Sequence, residues 1–217
     1  VFHWNVVPVG GSTITRRRNT ARSERAQATR ARIVEAAGSQ FVRDGYLETT
    51  MSGIARAAGV AVQTLYLSFG SKVAVLEGAL GAGSEDHPAG YTDQLTAEPD
   101  GILALGRYVA VTVQAIERNH PLDVVLRAAA ADPEPAELLE RTRRAVLDQH
   151  AKAVDELAEK PGFTDRISLQ RATDIVAAML SHETYDLLVV GQGWTPPDWA
   201  EWAGRHLAID LFPGNRP

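Results

Sequence analysis

Apolar residues recur at helical spacing through most of the chain. From Ser23 onward, Ile33, Ala36, Ala37, Phe41 and Val42 fall on one face and Gly45 follows as a C-cap, so a helix is predicted to end there. Shorter patterns predict helices at 51–58 and 62–69 on either side of Gly59, and a new start at Ser71 after Gly70. Between Gly81 and Pro99, Gly, Pro and Asp crowd together and no period survives, which reads as a linker or loop. Further helices are predicted at 100–119, 121–131, 134–159, 166–190 and 197–211. Pro121, Pro133, Pro135 and Pro161 stand at the joints, where a missing N–H does least harm. Thr195-Pro196-Pro197-Asp198 is close to a capping box. No segment alternates as a strand does. The pattern is all-α: a three-helix head over 24–70 and a helical-bundle body over 71–217. Residues 1–23 lack any period and read as a disordered N-terminal extension.

Composition narrows the classes without changing that picture. The 217 residues are 45% apolar and 23% charged, the balance of a globular chain with a sizeable core. No stretch approaches the roughly 18 uninterrupted apolar residues of a membrane span, so no membrane association is expected. With no cysteine, disulfide scaffolds, thiolate zinc sites and cysteine nucleophiles are excluded, and a cytoplasmic setting is expected. The arginines at 16–18 follow the weakly apolar start instead of preceding it, which is the wrong order for a secretory signal.

Charge is unevenly spread. Residues 1–72 hold ten Lys/Arg against four acids, whereas the remainder is acidic and the whole chain carries −5. A basic first third on an acidic body fits a polyanion-binding head, although a solvated basic helix face would have the same composition.

The segment from Met51 to Tyr66 has the grammar of a helix-turn-helix. Ala55 is small where two helices must cross closely, and Gly59 supplies a turn with positive φ. Ile54, Ala58, Val60 and Leu65 provide the apolar contacts that fix the crossing. Val62, Gln63, Thr64, Leu67 and Ser68 then face outward, toward a major groove. Tyr66 and Lys72 follow at the end of the second helix and the start of the next, a hydroxyl and an ammonium suited to phosphate oxygens.

At these positions the chain resembles the N-terminal domain of the TetR family of transcriptional regulators. The likeness runs from Arg30 to Leu80, through Ile33, Ala36-Ala37, Phe41, Gly45-Tyr46, Thr49-Thr50, Ile54-Ala55, Ala58-Gly59-Val60, Thr64-Leu65-Tyr66, Phe69, Ser71-Lys72 and Leu76. More weakly, Tyr185 to Trp202 resembles the end of the last two helices, which in that family pack against a second copy. Residues 81–165 carry no motif, as expected of a variable effector-binding region.

The resemblance implies phosphate contacts from Thr50, Tyr66 and Lys72, and base or groove contacts from Gln63 and Thr64 with Val62 and Ser68 nearby. Arg22, flanked by Arg18 and Arg25, is implied to reach the minor groove or a phosphate ahead of the first helix. It also implies a homodimer on double-stranded operator DNA, most simply a repressor released by a small-molecule effector. Three departures stand out. Ala61 replaces the usual Ser or Thr cap of the recognition helix, at a cost of about 1 kcal/mol. Gly53 takes a position often held by an acid, at a similar cost of about 1 kcal/mol. Ser68 replaces a frequent basic residue.

For the effector, Thr112, Thr142, His150, Met179 and Glu183 lie on or beside apolar stripes of the body helices. Each also reads as an ordinary core or interface group. Together they are the candidates for a pocket with a few convergent polar groups. Trp194, Trp199 and Trp202 form an aromatic cluster explained by packing.

His182-Glu183-Thr184-Tyr185-Asp186 departs from the zinc-binding H-E-x-x-H pattern at its last position, so no metal is expected. No phosphate-binding glycine loop or nucleophile grouping is present, and neither cofactor nor enzymatic activity is expected. Two rival readings remain open at this point: an all-α small-molecule-binding protein or enzyme with an incidental helix-turn-helix, and a non-specific coat for nucleic acid.

Overall fold

The computed structural model describes the backbone of residues 12–84 and 95–214, and side chains within 23–81 and 95–214. Among these residues the chain is helical and contains no strand. Helix α1 spans Ser12–Glu48 and is broken at Gly45, where φ is 81°. It starts ahead of Ser23, so residues 12–23 of the expected disordered extension are helical. Ala21 and four arginines in that stretch favour a helix, but no apolar stripe signals one. The rest of the extension lies outside the described residues.

The other head helices follow closely: α2 at Met51–Ala57 and α3 at Val62–Phe69. Helix α4 covers Lys72–Ser84, and residues 95–97 form a further helical turn. Both lie partly inside the expected 81–99 linker, of which residues 85–94 are outside the described region.

In the body, α5 runs as one helix over Gly101–Ala129 with Pro121 inside it. Two helices were expected there. A proline N–H is lost and the ladder is interrupted at one rung, but packing on both sides carries the helix through. Helix α6 spans Pro133–Ala158. The expected 166–190 helix is divided: α7 covers Leu169–Met179, and a break at Leu180–Ser181 precedes α8 at His182–Tyr185. A π-helical turn then runs from Asp186 to Gly191. Ser181 makes the break by capping α8, its hydroxyl accepting from the Thr184 N–H. Helix α9 covers Pro196–Leu211 and opens on a complete capping box between Thr195 and Asp198.

Two apolar cores organise these helices. In the head, Ile33, Ala37 and Phe41 recur one turn apart on α1 and are fully buried against Ile54, Leu65 and Leu76. Leu126, Ala129 and Leu138 belong to the same core, although they come from α5 and α6. The head therefore continues past residue 70 through α4 and rests on the body. The second core joins Leu105, Tyr108, Val154, Val176, Leu207 and Phe212 around the fully buried Trp199. Trp194 and Trp202 stand edge to face at its margin, 6.1 Å apart.

Candidate functional sites: a DNA-reading helix and a polar-lined body cavity

Helix α3 is presented by a tight turn. Gly59 has φ of 65°, a conformation that a side chain disfavours, and the Val60 N–H donates back to the Ala55 carbonyl at 2.9 Å. Ile54, Ala55 and Leu65 bury the inner face. The outer face carries Val62, Gln63, Tyr66, Leu67 and Ser68, all exposed, with Thr64 half-buried beside them. Leu67 is 82% exposed, and among the described residues nothing covers this face. Ala61 caps the helix with no side-chain hydrogen bond, as its sequence implies.

The polar groups around this face divide into free and engaged donors. Thr50 caps α2, accepting from the Gly53 N–H at 3.0 Å, which leaves its exposed hydroxyl a proton to donate. The Ser68 hydroxyl donates to the Thr64 carbonyl at 2.8 Å. Lys72 departs from expectation. Its Nζ donates to the carbonyls of Tyr46 at 2.7 Å, Thr49 at 3.1 Å and Leu47 at 3.4 Å, and sits 4.2 Å from the centre of the Tyr46 ring. An ammonium has three protons and all three are directed inward. Partial burial accordingly lowers its pKa, against the smaller pull of Asp132 and Glu48. Lys72 thus ties the start of α4 to the α1–α2 joint instead of reaching outward. The Arg22 side chain lies outside the described side chains.

Two residues that the motif did not single out hold the head together. Arg30 donates to the Ser68 carbonyl at 3.0 Å and lies over the Phe69 ring at 4.0 Å, fastening the end of α3 to α1. Gln40 donates to the Gly53 carbonyl at 3.1 Å. Neither pairing has a local sequence signal, because the partners are far apart in the chain.

In the body, a cavity of about 600 Å³ lies between α5, α6 and the α7–α8 break. It brings together four of the five effector candidates: Thr112, Thr142, His150 and Glu183. Met179 does not line it and packs instead against the body core. Glu183 stands at the rim, paired with Arg143 at 3.2 Å. The Thr142 hydroxyl donates to the Leu138 carbonyl at 3.0 Å, which leaves it accepting capacity only.

His150 is 2% exposed, its Nδ1 is hydrogen-bonded to the Tyr108 hydroxyl, and the Leu180 backbone is its other polar neighbour. Burial pushes the ring's pKa down to about 4, with the Leu180 backbone acting weakly in the opposite direction. Burial likewise raises that of Tyr108.

The lower wall is ionic, and sequence reasoning did not anticipate it. Arg127 bridges Asp123 at 2.6 Å and Asp186 at 2.7 Å, linking α5 to the π turn. His182 and His120 add contacts of 3.5 Å to Asp123 and Asp186 respectively. Among the described residues no group of three or more His, Asp or Glu side chains is arranged to hold a metal ion.

A second cavity of about 1150 Å³ lies between α5, α7 and α9. Its α9 wall includes Ala200, Gly204 and Ala208 at one-turn spacing beside the charged Glu201, Arg205 and Asp210, and aliphatic side chains such as Ile102, Ile175 and Ile209 also line it.

An exposed helix behind a glycine turn, in a chain whose remaining helices enclose a cavity, defines a helix-turn-helix protein. The sequence model described as "Bacterial regulatory proteins, tetR family" matches residues 33–79, the segment from mid-α1 to α4. The HTH-type transcriptional regulator TtgR of Pseudomonas putida is 39% identical over 64 residues, 30% of each chain. The uncharacterized regulator TtgW of the same species is 37% identical over 96 residues, 44% of this chain and 66% of that one. The alignment thus spans less than a third of TtgR.

Solved structures carry the likeness through the body. NalD of Pseudomonas aeruginosa, the secondary repressor of the MexAB-OprM multidrug efflux pump, superposes with a TM-score of 0.66 at 20% identity. That superposition covers 87% of this chain and 98% of NalD. The transcriptional regulator FadR of Bacillus subtilis in complex with stearoyl-CoA gives 0.68 at 17% identity, over 83% and 98%. Residues 33–79 thus match the TetR family of bacterial regulatory proteins, and the solved structures share the fold of the chain.

Proposed function

We propose that this protein is a transcriptional repressor that binds operator DNA as a homodimer and is released by a small-molecule effector. The observation that carries the reading is the uncovered outer face of α3, with Gln63 exposed on it, inside the segment that matches the family. A helix of this kind enters the major groove with its early residues against the bases. Val62, Gln63 and Thr64 occupy those positions, and Gln63 pairs with an adenine edge. Thr50 and Tyr66 take phosphates on either side, and Arg22 and Arg25 supply further phosphate or minor-groove contacts ahead of them. A single protomer offers one such helix, so a second copy is needed to span half-sites one helical turn, or a multiple of it, apart. The groove along Ala200, Gly204 and Ala208 is where that copy packs, since small residues let another helix approach closely.

Effector binding in the cavity beside His150 shifts the population toward a conformer whose heads no longer match the operator. It does so only as far as the two conformers differ in affinity for the effector. Such a protein works in the cytoplasm, and among the described residues no helix is long and apolar enough to cross a membrane. The match of residues 33–79 to a family of regulatory proteins supports this reading over an enzyme with an incidental helix-turn-helix.

The test is selection of binding sites from a random duplex pool, followed by the Gln63→Ala variant on the selected site and its single-base variants. Gln63→Ala is expected to relax preference at one base pair by about 1–3 kcal/mol and to leave the other positions unchanged. A uniform loss at every position would contradict base reading by Gln63.

A further inference from the structure

The outer face of α3 carries an apolar side chain at its apex. An α-helix turns about 100° per residue, so Leu67 lies about 200° round from Leu65 and again from Phe69, the two residues that seat α3 on the head. Leu67 therefore points directly away from the core, and among the described residues no large apolar side chain is more exposed. Gln63 stands one turn earlier on the same edge. The turn that carries Leu67 is held in place, since Arg30 donates to the Ser68 carbonyl at 3.0 Å and lies over the Phe69 ring. So exposed a side chain buries little when the chain folds, and it is fixed where a helix seated in a groove reaches deepest.

The major groove restricts what such a side chain can meet. Every base pair presents hydrogen-bonding groups there, and the one apolar group among them is the thymine C5-methyl. A leucine set over a purine edge strips water from N7 or O6 and returns no hydrogen bond, which is costly. Set against the thymine methyl, it buries apolar surface on both sides. The spacing from Gln63 fixes the register. Four helical residues span about 6 Å and stacked base pairs lie about 3.4 Å apart, so the two side chains reach base pairs no more than about two apart.

We propose that Leu67 is a second specificity-determining residue, which reads the C5-methyl of a thymine within about two base pairs of the pair that Gln63 reads. The inference rests on the reading of α3 as the helix that enters the major groove.

Deoxyuridine tests it, because it differs from thymidine only in lacking that methyl. A site selected from the random duplex pool is remade with dT replaced by dU at one position at a time, symmetrically in both half-sites. Mobility-shift titration then gives the affinity of the native chain and of Leu67→Ala for each duplex. At one thymine, loss of the methyl is expected to weaken native binding by about fourfold per half-site, while Leu67→Ala binds the dT and dU duplexes equally. A full dU penalty retained by Leu67→Ala would overturn the proposal. So would the absence of any thymine whose methyl matters to the native chain, or a sensitive thymine far from the pair that Gln63→Ala relaxes. Each of these results leaves α3 a reader of DNA. Failure of the pool to yield any preferred site would overturn the major-groove reading itself, and the proposal with it. The dU scan of the native chain needs no variant, so it stays decisive should Leu67→Ala fail to fold.

Discussion

Gly53 shows how a single position changes meaning once its neighbours are known. From sequence it is a weak residue inside α2, a loss of helix propensity. In the fold, a Cβ at this position would lie 3.1 Å from Thr50 Oγ1 and 3.2 Å from Gln40 Oε1, crowding both the cap and the side chain that bonds the Gly53 carbonyl. The glycine exchanges propensity for a close approach, and nothing local announces Gln40 as the beneficiary. Ala61 is the opposite case: the missing cap was legible because capping is local, and it is missing in the structure. His150 was legible as a polar group on an apolar stripe but not as a buried neutral ring, since its partner Tyr108 comes from another helix. Its depressed pKa has a consequence for stability. The unfolded ring takes up a proton near pH 6.5 and the folded ring only near 4, so stability falls as pH drops through that window and is level above it. Urea unfolding at pH 7.5 and pH 5 is expected to show about 2 kcal/mol of acid destabilisation that His150→Phe removes. Equal pH dependence in the two proteins would contradict the buried neutral ring.

Among the elements, those bounded by local chemistry were the ones the sequence predicted well. Helices α2, α3, α6 and α9 have clear starts, including the Thr195–Asp198 capping box, and they begin within a residue of expectation. The errors came where tertiary packing overrides a local mark. Pro121 reads as a stop, yet α5 passes through it because Ile116 packs in the body core and Leu126 in the head core. Ser181 reads as an interior residue of an unbroken apolar stripe, yet it caps a new helix. Lys72 was read as an outward cation for the same reason: its three carbonyl partners lie 23 to 26 residues earlier in the chain. As a fastener between α4 and the α1–α2 joint, Lys72→Met is expected to destabilise the head by about 1–3 kcal/mol in thermal or urea unfolding. The salt dependence of DNA binding is expected to stay the same. A salt slope shallower by about one unit at unchanged stability would instead restore a phosphate contact.

At the scale of the molecule, one stretch of α5 joins the two halves. Leu122, Val125, Leu126 and Ala129 pack into the head core, while Asn119, Asp123 and Arg127 of the same helix line the body cavity. A ligand that displaces the Asp123–Arg127–Asp186 bridge therefore acts on the helix that carries the head. A basic, motif-bearing first third was legible in the sequence. The α5 link was not, because helical periodicity reports that a face is buried and is silent about what buries it. Dimerisation belongs to this scale as well. Gly204 has open space where a Cβ would sit, so Gly204→Arg leaves the protomer intact. It is nevertheless expected to shift the protein to monomers in analytical ultracentrifugation and to weaken operator binding sharply. An unchanged dimer would place the second copy elsewhere.

The central claim is sequence-specific DNA binding. A mobility-shift titration of the full chain at near-physiological salt tests it, using the DNA upstream of its own gene and a scrambled duplex of equal length. The account predicts a preference of about a thousandfold or more for a site in that DNA or, failing that, for one selected from a random pool. Equal, weak binding to the scrambled duplex, the upstream DNA and every selected site would contradict it.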